Sequence, residues 1–421
     1  MVLIINIYKI LDISYKMYYI CSMKMIYRTY KFELLPNKEQ KTLLDKHFGC
    51  VRYVYNHFLN ERKEQYQADK KTDNYYGQAK TLTELKKKED TVWLKEVNSQ
   101  TLQFALRSLD TAYVNFFRGN AMFPRFKSKR KKNTFTVPQH TKVIDDRIYA
   151  PKFKGGIKVN IHREIKGEIG KFTISKTPTG KYFVSILTEQ EYQPSKKTGK
   201  SIGIDLGIKD FAITSDGVKY KNNRYTKRYE RQLKKAQQHL SRKTKGSNMF
   251  EKQKRKVALI HEKIANTRQD VLHKVSNEIV SNYDIICLED LNIKGMIKNR
   301  KLSKYIADAS WGTFVRFVEY KANWNNKTVV KINRWYPSSK TCNVCGYINQ
   351  DLNLSIRNWT CPKCSIELDR DENASINILK EGLKIYRQEL SIMKVEEKLD
   401  ISNNAHPVKP EAHHIGSAVC G

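Results

Sequence analysis

The sequence predicts a multidomain protein with an α/β portion and a separate β portion, and three observations carry that prediction. From Ser201 onward, apolar strands alternate with helical stretches: SIGIDLGI, FAITSDG, YDIICLED (283–290) and TVVKINR (328–334), the signature of an α/β core. Residues 155–187 instead follow period two, with Ile157, Val159 and Ile161 alternating with Lys158, Asn160 and His162, as in a small antiparallel β domain. Two Cys-x2-Cys pairs between 342 and 364 mark a small metal-stapled insertion. A chain of 421 residues has room for two or three domains and a sizeable core.

In chain order, YRTYKFELL (27–35) reads as a short strand ending at Pro36. A helix follows, with Asn37 and Gln40 as a capping box and Leu44, Phe48, Val51, Tyr55, Phe58 and Leu59 at helical spacing. Leu102, Ala105, Leu106, Leu109, Ala112, Tyr113, Phe116 and Phe117 line a second helix; both stripes are core faces, and the polar segment between them is mostly helical. FPRFKSKRKKNTF (123–135) is basic with interleaved phenylalanines. Its bases can track phosphates while its rings stack on bases or pack inward, and the competing reading is a solvated loop. Phe172 and Ile174 continue the β alternation, Pro178-Thr179-Gly180 is a turn, and QPSKKTGK (193–200) is a linker. Asp216-Gly217 is a hairpin signal. Residues 225–281 form a basic helical hairpin broken near Lys245-Gly246-Ser247. The last helix is expected from about Asn373, and its pattern fades after about residue 386 into a disordered tail.

Lys and Arg total 78 against 43 acids, a formal net charge of +35, with the bases spread along the whole chain. Such a chain repels itself unless a polyanion neutralises it, so nucleic acid is the expected partner. Lys9, Asp12 and Lys16 interrupt the apolar N-terminus before it reaches the roughly 20 residues a membrane span needs. No basic region precedes that run and no small-residue cleavage site follows it, which argues against a signal peptide. Residues 1–24 are expected to be an extension from an upstream start codon, with Met25 as the functional start; native peptides from that segment would overturn this. Of the eight cysteines, Cys21, Cys50, Cys287 and Cys420 are scattered and read as ordinary thiols of a reducing cytoplasm.

The other four stand as Cys342-x2-Cys345 and Cys361-x2-Cys364, fifteen residues apart. Each pair can chelate one side of a tetrahedral Zn²⁺, with Gly346 and Pro362 suited to tight knuckles. Four thiolates leave no position for water, so the site is expected to be structural. Three acids stand where an α/β core can gather them. Asp205 lies inside an apolar strand, Glu289 ends another, and Asp371 opens the last helix. Taken singly they could be an ion-pair partner, a strand-end residue and an N-cap. Together they can hold two Mg²⁺ for phosphodiester chemistry. Within ELDRDENA (367–374), Asp371 is taken as the ligand, Glu372 favours the helix dipole and Arg370 balances charge, but spacing leaves Glu367 and Asp369 as competing ligands.

GIDLGIKDFAITSDG, ICLEDLNIKGM, WYPSSKTCNVCG and LDRDENASINIL stand in the order found in TnpB/OrfB proteins, which accompany bacterial insertion sequences and are related to type V CRISPR effector nucleases. YKFELLPNKEQ and FPRFKSKRKKNTF also resemble that family, so the likeness runs from about Tyr27 to Leu383. It implies an RNase H-like (RuvC) nuclease domain at 196–336 and 369–385, interrupted by a zinc ribbon at 337–368. It further implies a β-barrel wedge domain at 25–36 and 134–195, interrupted by a helical recognition domain at 37–133, with 386–421 as tail. The family's catalytic carboxylates fall on Asp205, Glu289 and Asp371, as Mg²⁺ ligands, and its zinc ligands on Cys342, Cys345, Cys361 and Cys364. The implied activity is RNA-guided DNA cleavage beside a short flanking motif, by a monomer whose guide RNA comes from the element's own end. Two other functions compete: a transposase joining DNA strands, and an inactive RNA-guided DNA-binding regulator, which would normally have lost one of the acids. Ser365 and Ser375 depart from the glycine and alanine common in the family.

Overall fold

The computed structural model describes residues 24–129, 133–300, 302–353 and 356–403, with side chains through residue 392. The expected N-terminal extension apart from Lys24, the scattered Cys21 and Cys420 and the end of the tail lie outside the described residues. The chain divides into two compact units, one of residues up to Pro194 with Tyr229–Ala265, the other of Ser195–Arg228 with Asn266–Gly421.

The first unit opens on β1 (Lys24–Leu35), three residues earlier than expected. It continues into α1 (Lys38–Asp69), whose first turn carries the predicted capping box: Gln40 N–H donates to Asn37 Oδ1 at 2.8 Å, and Asn37 N–H to Gln40 Oε1 at 3.2 Å. Helix α2 (Tyr75–Leu85), a 3₁₀ segment (Glu89–Glu96) and α3 (Ser99–Phe117) follow. The strands β2 (Asn133–Val137), β3 (Lys142–Ile144), β4 (Arg147–Tyr149), β5 (Ile157–Asn160), β6 (Glu168–Lys176) and β7 (Tyr182–Tyr192) join β1 in one antiparallel sheet of order β2-β6-β7-β1-β5-β4-β3. Its inward residues, Phe32, Ile157, Phe172 and Val184 among them, share one core with Leu44, Phe58, Leu102 and Leu106 of the helices. That shared core explains the apolar stripes read from the sequence.

Within 123–135, Phe135 is buried on β2 while Phe123 and Phe126 remain substantially exposed, with Lys63 Nζ 4.7 Å from the Phe126 ring centroid. Asn56 clamps this loop to α1, its side chain accepting from Lys127 N–H at 2.7 Å and donating to Lys127 O at 2.9 Å. Residues 130–132 lie outside the described residues.

The second unit contains β8 (Ser201–Asp205), β9 (Asp210–Thr214) and β10 (Lys219–Lys221), three antiparallel strands turned partly at Asp216-Gly217. The expected helical hairpin is α4 (Tyr225–Ser241) and α5 (Asn248–Asn282), broken at Lys245–Ser247, and its Tyr229–Ala265 portion belongs to the first unit. Strand β11 (Ile285–Glu289), helices α6 (Ile293–Met296), α7 (Ser303–Ala309) and α8 (Trp311–Trp324), and β12 (Thr328–Ile332) follow. The sequence reading assigned nothing to α6–α8, although Trp311, Phe314, Phe317 and Val318 repeat at helical spacing and bury against the sheet core.

The sheet order is β10-β9-β8-β11-β12, with β8, β11 and β12 parallel. A two-stranded ribbon, β13 (Asn358–Thr360) and β14 (Glu367–Asp369), leads into α9 (Arg370–Asn403). The start of α9 is three residues before Asn373, and it runs past the end expected near 386. Residues 386–403 lose apolar period but contain no glycine or proline, so helix propensity carries the backbone on. Helix α9 packs on β8 because Gly203 lacks a Cβ, which would lie 2.2 Å from Ser375 O.

Candidate active site

Parallel pairing places two acids side by side. Ile204 is registered with Leu288 across β8 and β11, so the next residues, Asp205 and Glu289, stand abreast at the carboxyl ends of adjacent strands. In open α/β sheets this end is where ligands bind. Helix α9 brings Asp371 to the same end. Burial together with the Glu289 and Asp371 charges pushes the Asp205 carboxyl up to about 7. Among the described residues no donor hydrogen-bonds Asp205. Burial also raises Glu289, partly offset by Ser338, whose Oγ–H donates to Glu289 Oε1 at 2.6 Å.

Asp371 is held by Arg357, whose Nη1 donates to both carboxylate oxygens at 3.0 and 2.9 Å. The ribbon register explains this contact: Asn358 faces Asp369, and Arg370 N–H donates to Arg357 O at 2.7 Å, so Arg357 sits opposite the start of α9. The three acids therefore share an electrostatic site, but their oxygens are not drawn together as closely as the cysteine sulfurs described below.

Within ELDRDENA the acids have different partners. Asp369 caps α9, its Oδ1 accepting from the N–H groups of Asp371 at 2.9 Å and Glu372 at 3.1 Å. Despite burial, those bonds and Lys219 hold Asp369 below the ordinary carboxylate range. Lys219 also pairs with Glu372 at 2.8 Å. Glu367 is exposed on β14. Asp371 alone of these acids perturbs Asp205.

Cys342, Cys345, Cys361 and Cys364 converge, with all four sulfurs within 4.8 Å of one another. Cys342 Sγ is 3.7 Å from Cys364 Sγ, and Cys345 Sγ is 3.6 Å from Cys361 Sγ. A tetrahedron with Zn–S bonds of 2.3 Å has edges of about 3.8 Å, whereas a disulfide needs about 2.05 Å. The donor set therefore fits a metal ion such as zinc. Two matching knuckles build it: Gly346 N–H donates to Cys342 O at 3.0 Å and Ser365 N–H to Cys361 O at 2.8 Å. Burial works against ionising Cys361, but the Cys364 and Lys363 N–H groups and neighbouring thiols bring it down to about 7. Gly346 and Ser365 both take positive φ, 74° and 57°, which accounts for the glycine common at the second position.

The ribbon is stapled to α9 by two asparagines. Asn373 Nδ2 donates to Thr341 O at 2.7 Å, and Asn377 Nδ2 to Ser338 O at 2.8 Å and Thr341 O at 2.6 Å. Sequence reasoning missed Arg357, Ser338 and these asparagines, since no periodicity marks a contact made across a turn. Among the described residues no helix is long and apolar enough to cross a membrane.

Family models match three stretches: "Probable transposase" over 184–300, "Cas12f1-like, TNB domain" over 311–378 and "Helix-turn-helix domain" over 23–71. Two relatives, from Streptomyces pristinaespiralis and Escherichia coli K12, carry the name "Putative RNA-guided DNA endonuclease", the second with the suffix InsQ. The first is 36% identical, covering 86% of this chain and 90% of the relative; the second is 33% identical, covering 84% and 92%. A mimivirus "TnpB-like protein L770" is 26% identical, covering 84% of this chain and 73% of the relative. A Cas12f1–sgRNA–target DNA complex superposes at a TM-score of only 0.34 and 13% identity, covering 84% of this chain and 99% of that one, too loosely to bear on the fold. With the motifs in order and relatives matched over nearly their whole length, this chain belongs to the TnpB/OrfB family.

Proposed function

We propose that the protein is an RNA-guided, metal-dependent DNA endonuclease that hydrolyses phosphodiesters at Asp205, Glu289 and Asp371. The observation that carries this reading is the pairing of Asp205 and Glu289 at adjacent strand ends, with Asp205 raised to about 7 by burial and by its acidic neighbours. Carboxylates gathered closely enough to raise one another suit divalent ions, although Arg357 already pairs with Asp371. Two Mg²⁺ held by these carboxylates would supply activation of a water and stabilisation of the leaving oxygen.

Asp205 and Glu289 offer oxygens from rigid strand ends. Ser338 orients Glu289 by occupying Oε1. Arg357 keeps a guanidinium beside Asp371, where it can draw in a phosphodiester anion. The strand order, three antiparallel strands followed by two parallel ones, supports an RNase H-like (RuvC) core. The first unit's sheet is the candidate wedge, and Zn²⁺ on the four cysteines would be a closed structural site. The +35 charge suits a chain that holds a guide RNA and its DNA heteroduplex.

The test is to sequence RNA that co-purifies with the full chain and use it to direct cleavage. A discrete transcript ending at the boundary of the encoding element, supporting Mg²⁺-dependent cutting of matched DNA, is the expected result. Only heterogeneous RNA removable by salt, with no guided cutting, would overturn the reading.

A further inference from the structure

Trp335 is the most exposed large hydrophobic side chain among the described residues, at 85%. A tryptophan left in water forgoes the burial that ordinarily stabilises so large a ring. Its position is not the product of a loose loop, since contacts on both sides fix the turn that carries it. Arg334 pairs with Asp290, the residue after Glu289. Asp290 N–H donates to Ile332 O at 3.1 Å. Trp335 N–H donates to Asn333 Oδ1 at 2.9 Å, which sets the turn itself. On the far side, Tyr336 packs against the core of Cys287, Val330, Ile332 and Ile378, and Ser338 Oγ–H reaches Glu289. Arg334, Tyr336 and Ser338 are all engaged with β11, β12 or their core, and Trp335 between them points to solvent three residues from a contact of a catalytic carboxylate.

We infer that Trp335 is a base-stacking residue that positions single-stranded DNA at the carboxylates, an inference that rests on the nuclease reading above. Every nucleobase has a π-face, so a fixed exposed indole can grip a strand without reading its sequence. The +35 net charge of the chain suits the phosphates of a strand held by such a ring. Trp335 touches no reacting atom in this scheme; it is a positioning residue that sets the register of the scissile phosphate.

The test uses the full chain carrying its RNA, with Asp205→Ala to prevent cutting. Single-stranded target DNA with a fluorescent purine analogue moved one position at a time reports where a ring stacks. Quenching at one or two adjacent positions is expected, kept in Trp335→Phe and lost in Trp335→Ala. Equal quenching in Trp335→Ala, or none at any position, overturns the inference. So does a loss of self-association in Trp335→Ala without any change in quenching, which would make the ring a contact between copies. In the cutting-competent chain, Trp335→Ala should raise KM for single-stranded DNA about tenfold with kcat little changed; unchanged KM overturns the inference. If the Asp205-intact chain never cuts while position-specific quenching persists, the nuclease reading falls and the stacking site stands.

Discussion

Two buried titratable groups, one in each unit, show opposite treatments of the same cost. His47, in α1, has no exposed surface. Its Nδ1–H donates to Leu43 O at 2.8 Å, its Nε2 accepts from Asn98 N–H at 3.2 Å, and its ring lies 4.9 and 5.1 Å from those of Phe135 and Phe153. Burial lowers it to about 4, and both nitrogens are satisfied in the neutral form. Asp205 is instead raised, by burial and by Glu289 and Asp371, which the Arg370 and Arg357 charges only partly offset, and among the described residues no donor hydrogen-bonds it. A group serving the fold is given every partner it needs, whereas the proposed site would leave Asp205 to be completed by a ligand.

Breaking the unsatisfied side should have the largest effect on activity. Asp205→Ala is expected to lower guided cleavage by about a thousandfold or more, with DNA binding nearly intact in a gel-shift titration. Cleavage at the wild-type rate would remove Asp205 from the site. Cys361→Ser should lose zinc and weaken DNA engagement. Its metal affinity should fall by more than the about 10–100-fold that losing a mere supporting partner costs. Zinc content measured by mass spectrometry checks this, and an unchanged stoichiometry would refute the ligand assignment.

The satisfied side makes a pH prediction. Because the folded pKa of His47 lies below the unfolded value of 6.5, the unfolded chain binds the extra proton, and stability is full above pH 6.5 and lost as pH falls towards 4. The whole shift corresponds to a loss on the order of 3 kcal/mol. Hydrogen exchange of α1 amides, corrected for intrinsic rates, should show this acid slope in wild type and lose it in His47→Gln. The smallest effect sharpens the metal ribbon: Ser365→Gly removes a non-glycine residue from positive φ and should stabilise the ribbon on the order of 0.5 kcal/mol. Slower zinc release to a chelator is the readout.

Asp205 and Glu289 stood out in the sequence because one lies inside and the other ends an apolar run, where an acid needs a reason, whereas Asp371 sits in a polar, acidic stretch. The cysteines were legible because chelation fixes their spacing. Asp369 and Asp371 could not be separated from sequence, since the distinction is whether a carboxylate turns back onto two helix N–H groups or outward to Arg357, and that depends on where α9 begins. Arg357 was hidden because only the β13–β14 register puts it opposite Asp371. The short strands β3 and β4 escaped for want of length to show alternation, although Ile148 on β4 is fully buried. Helix α9 outran its expected end because period, rather than propensity, was used to stop it.

The most direct measurement is to count divalent ions on the RNA-loaded full chain by Mn²⁺ titration with electron paramagnetic resonance, comparing wild type with Asp205→Asn. Two ions tight in wild type, with at least one lost in Asp205→Asn, are the predicted result. Equal binding by both chains would contradict the claim that Asp205, Glu289 and Asp371 form a metal-dependent nuclease site.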